Sequence, residues 1–235
     1  MNKTPSLFHV DRLDLNFTPK SWAYAVEHRA EIEAVFAERQ REKPAMWNGP
    51  VLLMHRQVLS EGVFRGDFLQ TDFASFSYWH SQGHPKAAVH DCFAAAAIRS
   101  ADGAFLLGVM GAHTYNSGRI YFPCGTPDPS DIIGGKVDFE FSVQRELNEE
   151  TGFDISEFNA EPGWTTIVDG ALIAQIKVLQ SDQTADALRG RILEQLAKET
   201  QPELADIRIV RSPADFAPKM PDFVQTFLAH RFAGG

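Results

Sequence analysis

Nine consecutive residues, Arg145-Glu146-Leu147-Asn148-Glu149-Glu150-Thr151-Gly152-Phe153, constrain this chain more than any other segment. Glu146, Glu149 and Glu150 are related as i, i+3 and i+4, so a helix carries all three carboxylates along one face. Gly152 follows where a helix closes in the left-handed conformation. Like charges this close repel, by roughly a few tenths of a kcal/mol per pair on an exposed helix. A hard divalent cation reverses that sign, because it takes carboxylate oxygens and keeps several waters. Arg145 can offset the repulsion and orient a carboxylate by bidentate hydrogen bonding. The plainer use of such a run is a solvated acidic helix face.

The distribution of charge sharpens the point. The 235 residues include 22 Lys and Arg against 31 Asp and Glu, a net charge of −9. Between Thr126 and Glu157 lie nine of the acids and two of the bases, so seven of the nine net negative charges gather around one loop and helix. Duplex nucleic acid and anionic membranes call for surplus Lys and Arg, so neither is an expected partner. A phosphorylated substrate neutralised by metal ions is compatible. The two cysteines, Cys92 and Cys124, match no zinc spacing and read as buried thiols in a reducing compartment. Lys3, Asp11, Arg12 and Asp14 leave no apolar leader core, and the run Cys92 to Ile98 is too short to span a bilayer. The expected location is cytoplasmic.

Local patterns supply the elements. Thr18-Pro19 predicts a helix start, with Trp22, Val26, Ile32, Val35 and Phe36 recurring until Pro44. Val51 to Leu59 and Val63 to Leu69 read as a hairpin around Glu61-Gly62, followed by an aromatic segment with Phe73, Phe76, Tyr78 and Trp79. Cys92 to Ile98 and Ala104 to Met110 flank a turn at Asp102-Gly103, and Gly118 to Phe122 is a short strand. Strands at Thr165 to Val168 and Ala171 to Leu179, a helix over Thr184 to Thr200, a strand at Ile207 to Val210 and a helix over Asp222 to Phe232 complete the chain. Strands interleaved with helices without regular alternation predict an α+β fold with a mixed sheet. His80, His84 and His90 match no metal spacing and read as surface or core histidines. Arg56, Arg65 and Arg119 are basic residues able to clamp phosphate or sugar groups, Arg119 being the best placed.

The nine-residue stretch resembles the second half of the Nudix hydrolase box, G-x5-E-x7-R-E-U-x-E-E-x-G-U, at Arg145, Glu146, Leu147, Glu149, Glu150, Gly152 and Phe153. The first half departs from the pattern. Exact register puts Val137 where glutamate belongs and Asp131 where glycine belongs. Phe122-Pro123-Cys124-Gly125 resembles the Phe-Pro-Gly-Gly that often precedes the box, and anchoring there makes a proline-stiffened loop six residues too long. Asp138 is then the nearest substitute for the missing acid, one residue out of register.

The resemblance implies an α/β/α sandwich over residues 89–235, with residues 1–88 as a helix-plus-hairpin extension that shapes substrate choice or homodimer contacts. It implies Mg²⁺ or Mn²⁺ on Glu146, Glu149 and Glu150, oriented by Arg145, and hydrolysis of a small-molecule nucleoside diphosphate derivative, a nucleotide sugar or ADP-ribose-like compound. Glu199 and Glu203 are both candidates for the general base, with solvent exposure near a helix end as their plainer reading. The alternative is a catalytically weakened Nudix-fold nucleotide-binding sensor or regulator.

Overall fold

The structure of the protein, a computed structural model, describes residues 5–44, 46–85 and 88–234. Lys3, one of the charges read against an apolar leader, lies outside the described residues. In chain order the elements are β1 (Ser6–Val10), β2 (Arg12–Phe17), α1 (Ala23–Glu27), α2 (Arg29–Glu42), β3 (Pro50–Ser60), β4 (Val63–Asp72) and α3 (Phe73–Ser81). Next come β5 (Asp91–Arg99), β6 (Phe105–Met110), β7 (Ile120–Tyr121), β8 (Cys124–Gly125), β9 (Ile132–Ile133), β10 (Lys136–Val137) and α4 (Phe139–Thr151). The chain ends with β11 (Asn159–Ala160), β12 (Trp164–Asp169), β13 (Leu172–Gln180), α5 (Ala185–Leu196), β14 (Leu204–Val210) and α6 (Asp222–Phe232).

The strands form two sheets, and the architecture is α+β as expected. One sheet runs β1-β12-β13-β5-β6-β14, with β11 on β13, β7 on β6 and β8 on β5; the other runs β3-β4-β2-β10-β9. The chain divides into two compact units along the same line. The first takes residues through Arg12, Phe93–Gly125 and everything from Phe139 onward; the second takes Leu13–Cys92 and Thr126–Asp138. This differs from a single cut between residues 88 and 89, and strand pairing explains why. β1 pairs with β12 from Ser6 opposite Val168 to Val10 opposite Trp164, covering an edge that would otherwise offer free N–H and C=O groups. β10 pairs with both β9 and β2, so the hairpin from the motif loop continues the five-stranded sheet.

Within the first unit, Phe93 to Ile98 are buried throughout, as a strand lying between β13 and β6 with both faces covered should be. Phe122 and Phe227 meet edge to face at 5.3 Å, with Phe105 against both, so the core beside α6 is aromatic. Thr184 caps α5 by accepting the Ala187 N–H, and α6 spans the residues its pattern predicts. No helix among the described residues is long and apolar enough to cross a membrane.

In the second unit, Glu61 (φ 52°) and Gly62 (φ 71°) both turn left-handed, the backbone a two-residue hairpin between β3 and β4 requires. The first helix starts later than Thr18-Pro19 predicts. The Thr18 N–H donates to the Phe68 carbonyl at 2.8 Å, prolonging the sheet, and α1 begins only at Ala23; a break at His28 then separates α2. The aromatic segment is α3, capped by Asp72, which accepts the Ser75 N–H at 2.7 Å. Trp22 meets Trp79 edge-on at 5.8 Å, so these rings pack the unit's own core. His80 and His84 meet edge to face at 4.7 Å, and burial lowers the pKa of His84 and His90.

Asp91 is buried, and among the described residues its Oδ1 has no hydrogen-bond partner. Burial raises its carboxyl from 3.8 to about 7. The folded protein therefore holds this proton more tightly than the unfolded chain does. The associated stability is complete below about pH 3.8 and is lost as pH rises through about 7. About three pKa units at about 1.4 kcal/mol each set the loss at roughly 4 kcal/mol. Asp91→Asn is expected to exceed the parent in urea stability at pH 8, by up to about that amount, and to lose the advantage by pH 4.

Candidate active site

The burial pattern of α4 sorts its residues. Phe139, Val143 and Leu147, spaced by four, are buried and seat the helix on the core. Glu146 and Glu150 occupy the adjoining stripe and are buried too, at 8% and 3% exposure. Glu149 falls outside that stripe, with its side chain 58% exposed. Gly152 closes the helix at φ +74°, its N–H on the Asn148 carbonyl at 2.8 Å.

The backbone of β8 passes directly over the two buried acids. The Cys124 N–H donates to Glu150 Oε1 at 3.1 Å, while Glu150 Oε2 is buried with no hydrogen-bond partner among the described residues. A Cβ at Gly125 would stand 2.2 Å from Glu146 Oε1, so a side chain there would displace that carboxylate. Cys124 is half-buried rather than fully buried, and its contribution here is an amide. Arg145 Nη1 lies between two carboxylates, Glu146 Oε1 at 2.9 Å and Glu149 Oε2 at 3.2 Å, offsetting the repulsion between them.

The acids act on one another. Burial raises the Glu150 carboxyl well above its ordinary value; Glu146 and Glu203 add to this, the Cys124 amide opposes it, and Glu149 adds further. Glu203 lies one residue before β14. The residue as a whole is exposed, yet crowding around its carboxyl raises the pKa, Glu149 adds to that and His113 counters it. The Tyr121 phenol is raised by burial, by the Cys124 thiol and by Glu150 and Glu203, against a hydrogen bond with Asn116.

Of the two base candidates, Glu203 is thus brought to the acid cluster, whereas Glu199 is exposed beyond the end of α5 with its N–H on the Leu196 carbonyl. Asp138 directly precedes α4, more than two turns before Glu146, and its N–H donates to the Asp131 carbonyl. Arg119 is exposed two residues before Tyr121, its carbonyl accepting the Met110 N–H. The extra residues of the motif loop are ordered by a turn at Pro129–Asp131, where Asp128 and Asp131 cap each other, and by the β9–β10 hairpin through Gly134 and Gly135.

Tyr121, His113 and Asn116 escaped the sequence reading. Phe122-Pro123-Cys124-Gly125 marks the neighbourhood of Tyr121, but nothing local to residues 111–119 signals proximity to Glu203. That depends on β14 pairing with β6, which sets Leu204 opposite Met110.

Among the described residues, no three Asp, Glu, His or Cys side chains are gathered closely enough to enclose a metal ion. The chemistry of the set does suit one. Its donors are hard carboxylate oxygens, and one buried oxygen, on Glu150, has nothing to satisfy it.

No protein-family model matches the chain, and no curated protein matches it. Solved structures similar to it include a Nudix hydrolase from M. smegmatis, RenU, with 15% identity over 62% of this chain and 85% of that one, TM-score 0.39. A MutT protein from Methanosarcina mazei Go1 has 18% identity over 62% of this chain and 94% of its own, TM-score 0.39. A C. elegans Ap4A hydrolase has 16% identity over 61% of this chain and 99% of its own, TM-score 0.36.

Proposed function

We propose that this chain is a Nudix-type enzyme that hydrolyses a nucleoside diphosphate linked to a second group, a nucleotide sugar or ADP-ribose-like compound, with Mg²⁺ or Mn²⁺. One observation carries the reading. Glu150, inside the Arg145–Phe153 stretch, is a buried carboxylate with an unsatisfied oxygen amid three further acids. A buried carboxylate is costly unless paired, and one divalent cation relieves several while they stay ionised. Glu146, Glu149 and Glu150 would hold the metal, which when bound neutralises diphosphate oxygens and acidifies a water.

The protein's own groups supply the rest. Arg145 fixes Glu146 and Glu149, and the Cys124 amide fixes Glu150. Glu203 takes the proton from the attacking water; its raised pKa brings it nearer the working pH, where a general base is most effective. Residues 1–88 shape substrate choice or homodimer contacts, and the cytoplasm is the working compartment.

A second reading, a nucleotide-binding sensor that has lost turnover, draws on Arg145 spanning Glu146 and Glu149. Incubation with Mg²⁺ or Mn²⁺ and a panel of nucleotide sugars, ADP-ribose-like compounds, dinucleotides and CoA derivatives separates the two. The hydrolase releases nucleoside monophosphate in a metal-dependent manner. Tight binding without turnover across metals and substrates favours the sensor, and no saturable metal binding defeats both.

A further inference from the structure

We infer that His113 is a positioning residue for Glu203, holding the carboxylate in line for proton transfer; this rests on the hydrolase reading above. The two residues are 90 positions apart, and the chain brings them together at Gly111. The Gly111 N–H donates to the Glu203 carbonyl at 2.8 Å. Thr114 then closes the loop back on Gly111, donating both its N–H (3.1 Å) and its hydroxyl (2.9 Å) to the Gly111 carbonyl. The His113 imidazole folds over the same glycine. A Cβ at position 111 would lie 2.9 Å from the Glu203 carbonyl oxygen, 3.0 Å from His113 Cε1 and 3.1 Å from Nδ1. A residue without a side chain thus lets the ring and the Glu203 backbone converge on one point.

Charge gives the pairing its purpose. The other groups acting on the Glu203 carboxyl disfavour its ionised form, burial first and Glu149 second, and His113 counters them. The imidazole favours the ionised carboxylate and so attracts it. Glu203 directly precedes β14, whose register on β6 shifts between Leu204 and Asp206, and its backbone is anchored to Gly111.

A double-mutant cycle in the metal-loaded protein tests this. His113→Ala is expected to lower kcat about tenfold with KM changed less than about twofold, the size of effect typical of an orienting group. Glu203→Gln is expected to lower kcat roughly a hundredfold. The double variant should be no slower than Glu203→Gln alone, because His113 acts only through that carboxylate. His113→Gln, which keeps a donor, should recover most of the loss and also serves if the alanine variant fails to fold. Additive losses, or a raised KM with kcat intact, would overturn the inference. A second readout needs no turnover: the ring ¹⁵N resonances of His113 in metal-free protein should move on Glu203→Gln, and unchanged resonances also overturn it. If the parent protein hydrolyses nothing in the panel, the hydrolase reading fails, while the resonances still decide whether the ring and carboxylate are paired.

Discussion

Glu150→Gln is expected to lose at least about a hundredfold in turnover while becoming more stable in the absence of metal. Glutamine has the shape of glutamate and can still accept the Cys124 N–H through its amide oxygen. What disappears is a negative charge that burial and three neighbouring acids disfavour. The sign of the stability effect follows from linkage. The folded pKa of Glu150 lies above its unfolded value of 4.5, so stability held below about pH 4.5 is lost as pH rises through the folded pKa. The variant's advantage in urea should therefore be largest at pH 7 to 8 and should vanish toward pH 4.5. Saturating Mg²⁺ should reverse the order, stabilising the parent and not the variant. A variant that keeps its turnover, or that is destabilised in metal-free buffer at pH 8, would remove Glu150 from the centre of the proposal.

Residues 89–235 produced alone are expected not to fold cooperatively. A single cut there severs both sheets. The first loses β1 and exposes the edge of β12 from Trp164 to Val168, an invitation to strand-to-strand aggregation. It also loses Val10, fully buried and worth roughly 1.5–3 kcal/mol. In the second unit the β9–β10 hairpin loses Asn16 opposite Lys136 and the Phe17 N–H on the Gly135 carbonyl, and an isolated two-stranded hairpin is marginal in water. The expected result is an insoluble product, or a soluble one with no sharp urea transition. A soluble fragment with a cooperative transition and metal-dependent turnover would make residues 1–88 a dispensable accessory.

Much of this was legible beforehand where local chemistry decides the outcome. The α4 acids with Gly152, the hairpins at Glu61-Gly62 and Asp169-Gly170, and α6 all follow from periodicity and turn residues within a short window. β1 and β2 were invisible, because Ser6–Phe17 mixes charges with apolar residues and takes its strand form from partners distant in the chain, β12 for β1 and β4 and β10 for β2. The start of α1 was misplaced for a related reason: Thr18-Pro19 has the chemistry of a cap, but the Phe68 carbonyl claims the Thr18 N–H first. In the site, the acids were readable as a helix face. Tyr121, His113 and the Cys124 amide were not, since their roles arise from strand pairing and from backbone rather than from any side-chain pattern.

The hairpin inserted into the motif loop has a consequence for local motion. Residues 126–138 leave the unit that holds the acids, pair with β2, and return at Phe139. Their opening free energy is therefore set by the five-stranded sheet and not by the core beneath α4. A sequence change deep in that sheet, touching no acid, could loosen or stiffen the stretch that leads into α4. Selection on turnover would then register as substitutions in a part of the chain that performs no chemistry.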